Sequence, residues 1–319
     1  MTAQDRFSRR VCLGAAAGSL GWLGCAPLRP AGRTALGGRW SAAPGLGVPR
    51  DDFGFTTDGQ RLYAIGGMTG PRGNALSSVE SFQPGEQRWG RLAPLPVPVS
   101  SLRAAFLGGR IIVAGGAQDN LEVSACWALL PGTGRWDGIA PLRTARLGHG
   151  LAAMGNALFV AGGLAGGEPI ASVERYDPQR DLWLPVAPLP QPRFNLALVA
   201  VRGQLWAIGG SGPDRRPVPS VDLYVPEQDR WTAGPRLPQP LSNFGAALRA
   251  GRWLHVVWHR RHYAIDALDP QAGWAAATPI PTSRHGLGLE ALGDRLYAAG
   301  GCSEDPQRDL TTVEVYQAG

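Results

Sequence analysis

The sequence predicts an all-β fold built from six copies of one four-stranded unit. The first observation is a strand-like run that ends in two glycines and occurs five times along the 319 residues. The second is a tryptophan that follows four of the five glycine pairs at a nearly constant offset. The third is the content of 45 glycines and 28 prolines, which fits a chain of many short strands joined by many tight turns.

The glycine pairs set the period of the repeat. The first glycines lie 49, 47, 47 and 91 residues apart, and the last gap is about two periods, so one copy has lost its signature. We expect each pair to end the second strand of its unit where backbones crowd toward an axis, because glycine adopts a positive φ at little cost. These first glycines are Gly66, Gly115, Gly162, Gly209 and Gly300.

Five of the six units also carry an acidic residue two places before a large side chain, and the second unit has Trp127 at that position. A four-stranded unit of about 47 residues cannot bury both faces of its sheet, so the units are expected to stack side by side around a ring. The acids are Glu80, Glu174, Asp222, Glu314 and, in the degenerate copy, Asp266; the tryptophans are Trp40, Trp89, Trp136, Trp183, Trp231 and Trp274.

The order of double glycine, tyrosine and tryptophan resembles the kelch repeat, from about residue 37 to residue 319. This resemblance implies a six-bladed β-propeller with four-stranded antiparallel blades, in which each tryptophan packs against the next blade. The last copy ends after Tyr316 without an outer strand, whereas Trp40 has no strands before it. We therefore expect the segment around Trp40 to complete the sixth blade and close the ring.

Residues 1–25 have the composition of an export signal. SRRVCLG resembles the twin-arginine export motif, and residues 11–23 form an apolar stretch too short to span a bilayer. WLGC resembles a lipoprotein processing box, in which Cys25 is lipidated. We expect a signal peptide at 1–25, a linker at 26–36 and the propeller at 37–319, in the periplasm or anchored to a membrane facing it.

The formal net charge is +6, and arginine supplies all of the positive side-chain charge because the chain has no lysine. The arginines are scattered along the chain rather than clustered in a basic stripe, which argues against a nucleic-acid partner. The two cysteines beyond the leader, Cys126 and Cys302, fall in repeats that are not neighbours in a six-membered ring. We expect them to be small buried side chains that form no disulfide.

Four arginines stand 16 residues before the first glycine of their repeats, and they suggest two roles. They could bond carbonyls and the repeat's acids as part of the fold. Alternatively, they could form a ring of guanidinium groups at the channel mouth that binds a carboxylate or phosphate, so the ligand could be anionic. The four are Arg50, Arg146, Arg193 and Arg284.

The fifth repeat has Val257 and a tryptophan where the glycine pair belongs, and its next loop is short. A short loop would open a notch in the rim of the ring, although simple decay of a repeat explains the sequence equally well. The predicted floor of this notch is Trp258, His259, Arg260, Arg261 and His262.

Two functional hypotheses follow. The first is an exported module that binds a protein or glycan through its variable loops. The second, taken from kelch-type propellers, is a mutarotase or epimerase acting on an acidic sugar such as sialic acid, with His149, His285 or Glu290 as the acid–base group. Spacing favours no metal site or other cofactor, and the residue set of the copper-radical oxidases, the galactose-oxidase-like alternative, is not visible.

Overall fold

The computed structural model describes residues 36–304 and 307–319, so the predicted signal peptide and Cys25 lie outside the described residues. Six four-stranded antiparallel sheets form the blades of a propeller. Successive inner strands contact one another, and the inner strand of blade 6 contacts that of blade 1, so the six surround one axis. This confirms the predicted fold class and number of blades.

The blades have similar strand bounds, with the sixth completed by the N-terminal strand. The inner strands are Gly54–Thr57, Arg103–Leu107, Gly150–Met154, Ala197–Val201, Gly245–Arg249 and Gly288–Leu292. The second strands are Leu62–Ile65, Arg110–Ala114, Ala157–Ala161, Gln204–Ile208, Trp253–Trp258 and Arg295–Ala299. The third strands are Val79–Phe82, Cys126–Leu129, Val173–Asp177, Val221–Val225, Arg261–Asp266 and Val313–Ala318. The outer strands are Gly90–Leu92, Trp136–Ile139, Leu182–Val186, Arg230–Ala233, Ala275–Ala276 and Gly38–Ala43.

The two ends of the described chain close the ring. Strand Gly38–Ala43 pairs antiparallel with Val313–Ala318, and Trp40 stands directly opposite Tyr316. The aromatic rings of these two residues are 5.3 Å apart, and the Tyr316 hydroxyl donates a hydrogen bond of 2.9 Å to a backbone carbonyl just before the strand. The predicted closure is therefore confirmed.

Each glycine pair ends a second strand where no side chain fits. Gly66 has a φ of 59°, and a Cβ there would lie 2.7 Å from the carbonyl oxygen of Val99 in the connection that enters blade 2. The pair turns the chain from the blade into a loop on one face of the propeller. Backbone bridges join these loops to the segments that precede the inner strands, such as Asp51 with Met68, so both kinds of connection share that face, here called the loop face.

The hydrophobic core is divided among the spaces between blades, and the repeat tryptophans bind neighbouring blades together. Their indole N–H groups all donate to backbone carbonyls of the preceding blade; Trp183, for example, donates to Ala140 at 2.9 Å. The expected contact with the next blade was therefore wrong in direction, because each indole reaches a carbonyl just after the outer strand of the preceding blade. Cys126 and Cys302 are both buried, as predicted.

The remaining regular elements are short. Two-stranded hairpins project from the loop face at Met68–Thr69 with Asn74–Ala75, Ala117–Gln118 with Leu121–Glu122, and Leu164–Ala165 with Glu168–Pro169, and a fourth sheet joins Arg284–His285 to Cys302–Ser303. The described residues include the 3-10 helices Pro226–Gln228 and Pro270–Ala272. None of the helices in the described ranges has the length and apolar character required to cross a bilayer.

Candidate functional site

The four predicted arginines lie inside the blades. Arg146 is fully buried, and its Nη1 donates to the carbonyl of Gly162 at 2.9 Å while its Nη2 donates to Glu174 Oε1 at 2.6 Å. The second oxygen of that carboxylate accepts the backbone N–H of Arg143 at 2.8 Å. The same guanidinium–carboxylate pair, with a nitrogen–oxygen distance of 2.6 Å, joins Arg50 to Glu80, Arg193 to Asp222, and Arg284 to Glu314.

The 16-residue spacing follows from this geometry, because the arginine reaches the carbonyl of the first glycine of its own repeat. The two blades that lack the arginine also lack the carboxylate. At the arginine and acid positions blade 2 has Val99 and Trp127, and blade 5 has Leu241 and Ala264. The structure therefore places the four guanidinium groups within the blades rather than around the channel mouth.

The acidic residue predicted for the degenerate repeat occupies a different place. Asp266 lies at the end of the third strand of blade 5, opposite Trp253, and forms an ion pair of 2.7 Å with Arg252. The sequence offset was misleading because this strand begins earlier than its counterparts and continues for six residues.

Blade 5 does have a gap in the loop face. Trp258 pairs with Arg261 across a two-residue turn, where the other blades have longer connections. His259 takes the positive φ of 52° in this turn. Val257 can replace the first glycine because the strand continues straight through it and needs no left-handed residue there.

The gap, here called the blade 5 notch, exposes both arginines of the turn. Arg260 and Arg261 are exposed, and the guanidinium of Arg261 lies 5.6 Å from the ring centre of the half-buried Trp258. His259 Nδ1 lies 2.9 Å from Glu304 Oε1 of the blade 6 loop. Burial lowers the pKa of His259, while the Glu304 carboxylate opposes this shift.

His262 is not part of the notch floor, which corrects the prediction. It is buried between blades 5 and 6, in a chain of hydrogen bonds that begins with Arg249 Nε and His255 Nε2 at 3.2 Å. His255 Nδ1 lies 2.8 Å from His262 Nε2, and His262 Nδ1 lies 3.0 Å from the carbonyl of Thr278. The same carbonyl accepts the indole N–H of Trp40 at 2.9 Å. The two histidines thus connect blade 5 to the strand that closes the ring.

The three candidate acid–base residues have different surroundings. Glu290 is half-buried on the inner strand of blade 6, and burial raises its pKa to about 8. His149 is fully buried, and its pKa is lowered well below its usual range by burial and by the positive charges of Arg103 and Arg146. His285 is half-buried in the short loop-face sheet that it forms with Cys302, and its ring lies 5.6 Å from the ring of His259.

The inner edge of the loop face is held by a closed ring of backbone hydrogen bonds, here called the mouth ring. In each blade, the residue two places after the arginine position donates its N–H to the carbonyl of its counterpart in the preceding blade. The six distances lie between 2.6 and 3.2 Å, and all six residues have a φ between 47° and 62°. The members are Asp52, Ser101, Gly148, Asn195, Asn243 and Gly286.

One long charged side chain accompanies this ring. Arg103 is the first residue of the inner strand of blade 2, and the first residue of the inner strand in every other blade is glycine or alanine. Its Nη1 donates to the carbonyl of Leu102 at 3.0 Å. Burial lowers the pKa of Arg103, and the carboxylate of Asp52 in the adjacent blade opposes that shift. A carboxylate, a guanidinium, a hydroxyl and two amides therefore lie together at the mouth of the channel.

Sequence reasoning missed the mouth ring, although a signal was present. The residue 14 places before the first glycine position is aspartate, serine, glycine or asparagine in every repeat. Apart from serine, these are the types that tolerate the left-handed region best. A search for repeated positions restricted to such residues would have found it.

Asp51, Cys302 and Asp309 form a second cluster that the sequence did not indicate, because its members belong to blades 1 and 6. Their possible metal-ligand atoms lie within 4.8 Å of one another. Each of the three has partners within the protein, including the 2.7 Å hydrogen bond from the Gly70 N–H to Asp309 Oδ2. These contacts account for the cluster without an ion.

Comparison with known proteins agrees with the architecture. The Kelch motif family model matches residues 49–96, 145–190, 192–238 and 283–317, which is more than half of the chain. The solved structure of YjhT superposes with a TM-score of 0.72, covering 86% of this chain and 97% of that chain at 14% identity. At this identity, the likeness shows the fold alone.

Curated relatives match over shorter stretches. F-box protein AFR of Arabidopsis thaliana is 31% identical over 83 residues, which is 26% of this chain and 22% of that protein. Kelch-like protein 35 of Homo sapiens is 43% identical over 58 residues, which is 18% of this chain and 10% of that protein. The matches span about a fifth or less of the length of these relatives. They are therefore evidence for a shared repeat and not for the activity of the whole relative.

Proposed function

Because the chain belongs to the kelch family, whose propellers commonly bind proteins, we propose that it is a binding module that holds a protein or glycan partner on its loop face. The observation that carries this proposal is the blade 5 notch. It is a break in the rim, and it presents Trp258, Arg260 and Arg261 around a single turn.

The chemistry of the notch suits a partner segment that is acidic and partly apolar. Arginine and tryptophan are the residue types enriched where interfaces are strongest. Arg260 and Arg261 together supply ten N–H donors that planar carboxylates can accept. The rigid ring fixes the position of this turn, so little conformational freedom is lost on binding.

The test compares two charge-reversed proteins of equal net charge. In Arg260→Glu/Arg261→Glu the notch loses its positive charge, whereas Arg88→Glu/Arg135→Glu changes exposed arginines on the opposite face. The parent protein is used to capture partners from the extracytoplasmic fraction, and these partners are then purified. The notch variant should no longer bind them, whereas the control variant should bind them as the parent does. Equal capture by both variants would contradict a partner site in the notch.

A second candidate function is favoured by Glu290. A carboxyl with a pKa of about 8 is protonated in about nine-tenths of the molecules at pH 7, which suits a general acid in opening a sugar ring. The arginines expected to bind the sugar carboxylate are held inside the blades, so this mutarotase or epimerase function stands second. NMR exchange of sialic acid anomers, measured with the parent and Glu290→Gln, tests it; no acceleration by the parent removes it.

We also propose that the protein is exported by the twin-arginine route and that Cys25 carries a lipid. The motif SRRVCLG and the box WLGC support these two steps. Replacing Arg9 and Arg10 with lysine should retain the protein in the cytoplasm, while Cys25→Ser should abolish labelling with radioactive palmitate. Unchanged fractionation in the first case, or unchanged labelling in the second, would refute the respective step.

A further inference from the structure

We propose that the mouth ring is a binding site for a small, hydroxyl-rich ligand without net charge. The proposal starts from polar side chains that lack partners in the protein. Within residues 36–304 and 307–319, the side chains of Asp52, Ser101, Asn195 and Asn243 make no hydrogen bond, and Arg103 uses only Nη1. All five are half-buried around one opening. Their unpaired polar atoms are not sealed within the protein, so a ligand that approaches the mouth can reach them.

The backbone beneath these side chains is held by the six cyclic hydrogen bonds. Each of the six residues is in the left-handed region, which costs free energy for any residue other than glycine. The chain nevertheless keeps aspartate, serine and two asparagines at four of the six positions. Packing does not require these side chains, because glycine occupies the same position in blades 3 and 6. The side chains are therefore available for recognition.

The two glycines make space for their neighbours. A Cβ on Gly148 would lie 2.5 Å from Asn195 Oδ1, and a Cβ on Gly286 would lie 3.1 Å from Asp52 Oδ1 and 3.5 Å from Asn243 Nδ2. The amide and carboxylate groups thus lean over the glycines from adjacent blades. The result is a shallow cradle lined by hydrogen-bonding atoms and floored by backbone.

The charges select the class of ligand. Asp52 and Arg103 carry opposite charges, but no ion pair of 4.0 Å or less joins them. An anion would be repelled by the carboxylate, and a cation would be repelled by the guanidinium. A hydroxyl group can donate to Asp52 and accept from Arg103, and each asparagine amide can both donate and accept. A neutral polyol or monosaccharide matches this set, whereas an acidic sugar does not.

The experiment uses the whole protein and a panel of small probes, observed by saturation-transfer NMR. D-Galactose and myo-inositol should receive saturation from the parent protein, whereas the anion N-acetylneuraminate and the cation choline should not. Asn243→Gly and Asn195→Gly remove one amide each while keeping a backbone that blades 3 and 6 already show to be compatible with glycine. Each should weaken binding of the neutral probes at least tenfold, and Asn156→Gly, in an exposed turn on the opposite face, should leave binding unchanged.

Three results would overturn the proposal. They are no saturation transfer to D-galactose and none to myo-inositol, transfer only to the two charged probes, and equal binding of the neutral probes by Asn243→Gly and the Asn156→Gly control. The site is separate from the blade 5 notch and rests on different residues. Its failure would therefore leave the proposed partner site standing, and loss of partner binding in the notch variants would leave the mouth ring untouched.

Discussion

Acid should weaken the closure of the ring through the two buried histidines. Arg249 Nε–H can only donate, so His255 Nε2 accepts and its proton resides on Nδ1. His255 Nδ1–H then donates to His262 Nε2, and His262 Nδ1–H donates to the Thr278 carbonyl. Both imidazoles are therefore neutral in the folded protein. A further proton on either ring would remove the acceptor that the chain of hydrogen bonds needs.

The size of the effect follows from the pKa of His262. Burial lowers it from 6.5 to about 4, and the pKa of His255 is lowered as well, by burial first and then by His262 and Arg249. Because the folded protein binds the proton more weakly than the unfolded chain does, the free energy of unfolding is highest above pH 6.5 and falls as the pH drops toward 4. For His262 alone, linkage gives a loss of about 2 kcal/mol at pH 5 and about 3 kcal/mol at pH 4.

The assay is urea unfolding followed by circular dichroism at pH 7.5, 6, 5 and 4. The double variant His255→Val/His262→Leu removes both titrating groups, and the Thr278 carbonyl keeps the Trp40 indole as a donor. This variant should lose most of the pH dependence that the parent shows between pH 6.5 and 4. His259→Gln, outside this chain of hydrogen bonds, should keep it. Equal pH slopes for the double variant and the parent would refute the reasoning.

Three further predictions concern the fold. Deleting residues 37–43 should open the ring and lower the melting temperature by several degrees; an unchanged melting temperature would contradict the closure. Arg146→Met leaves a buried carboxylate unpaired and should lower the free energy of unfolding, measured with urea, by about 3–5 kcal/mol. The same change at the exposed Arg135 should lower it by no more than about 0.5 kcal/mol. Equal losses would argue against a stabilising role of the buried pair. Gly115→Ala should destabilise the protein far more than Gly108→Ala. The two glycines have similar φ values, but a Cβ on Gly115 would lie 2.7 Å from a carbonyl oxygen, whereas a Cβ on Gly108 would meet open space. Equal losses of stability would mean that the positive φ alone, and not the close backbone contact, explains the glycine at position 115.

The sequence by itself determined the period, the number of blades and the closure around Trp40. These features depend on local requirements that recur at a fixed spacing, such as the positive φ of a glycine that ends a second strand. A recurring local requirement leaves a recurring residue, so it can be recognised without coordinates. The same logic located the blade 5 gap, since a missing glycine pair shows that the chain does not turn there.

Only the tertiary structure decided what the polar residues do. Arg146 could have pointed to the channel or into its blade, and the outcome depends on Glu174, which the strand pairing brings beside it. His262 falls within the predicted notch sequence but on the face that packs against blade 6, where His255 and Trp40 enclose it. The mouth ring joins residues from all six blades. The repeat records the left-handed backbone position of this ring, but the side chains there differ from blade to blade, so only the coordinates show which polar groups meet.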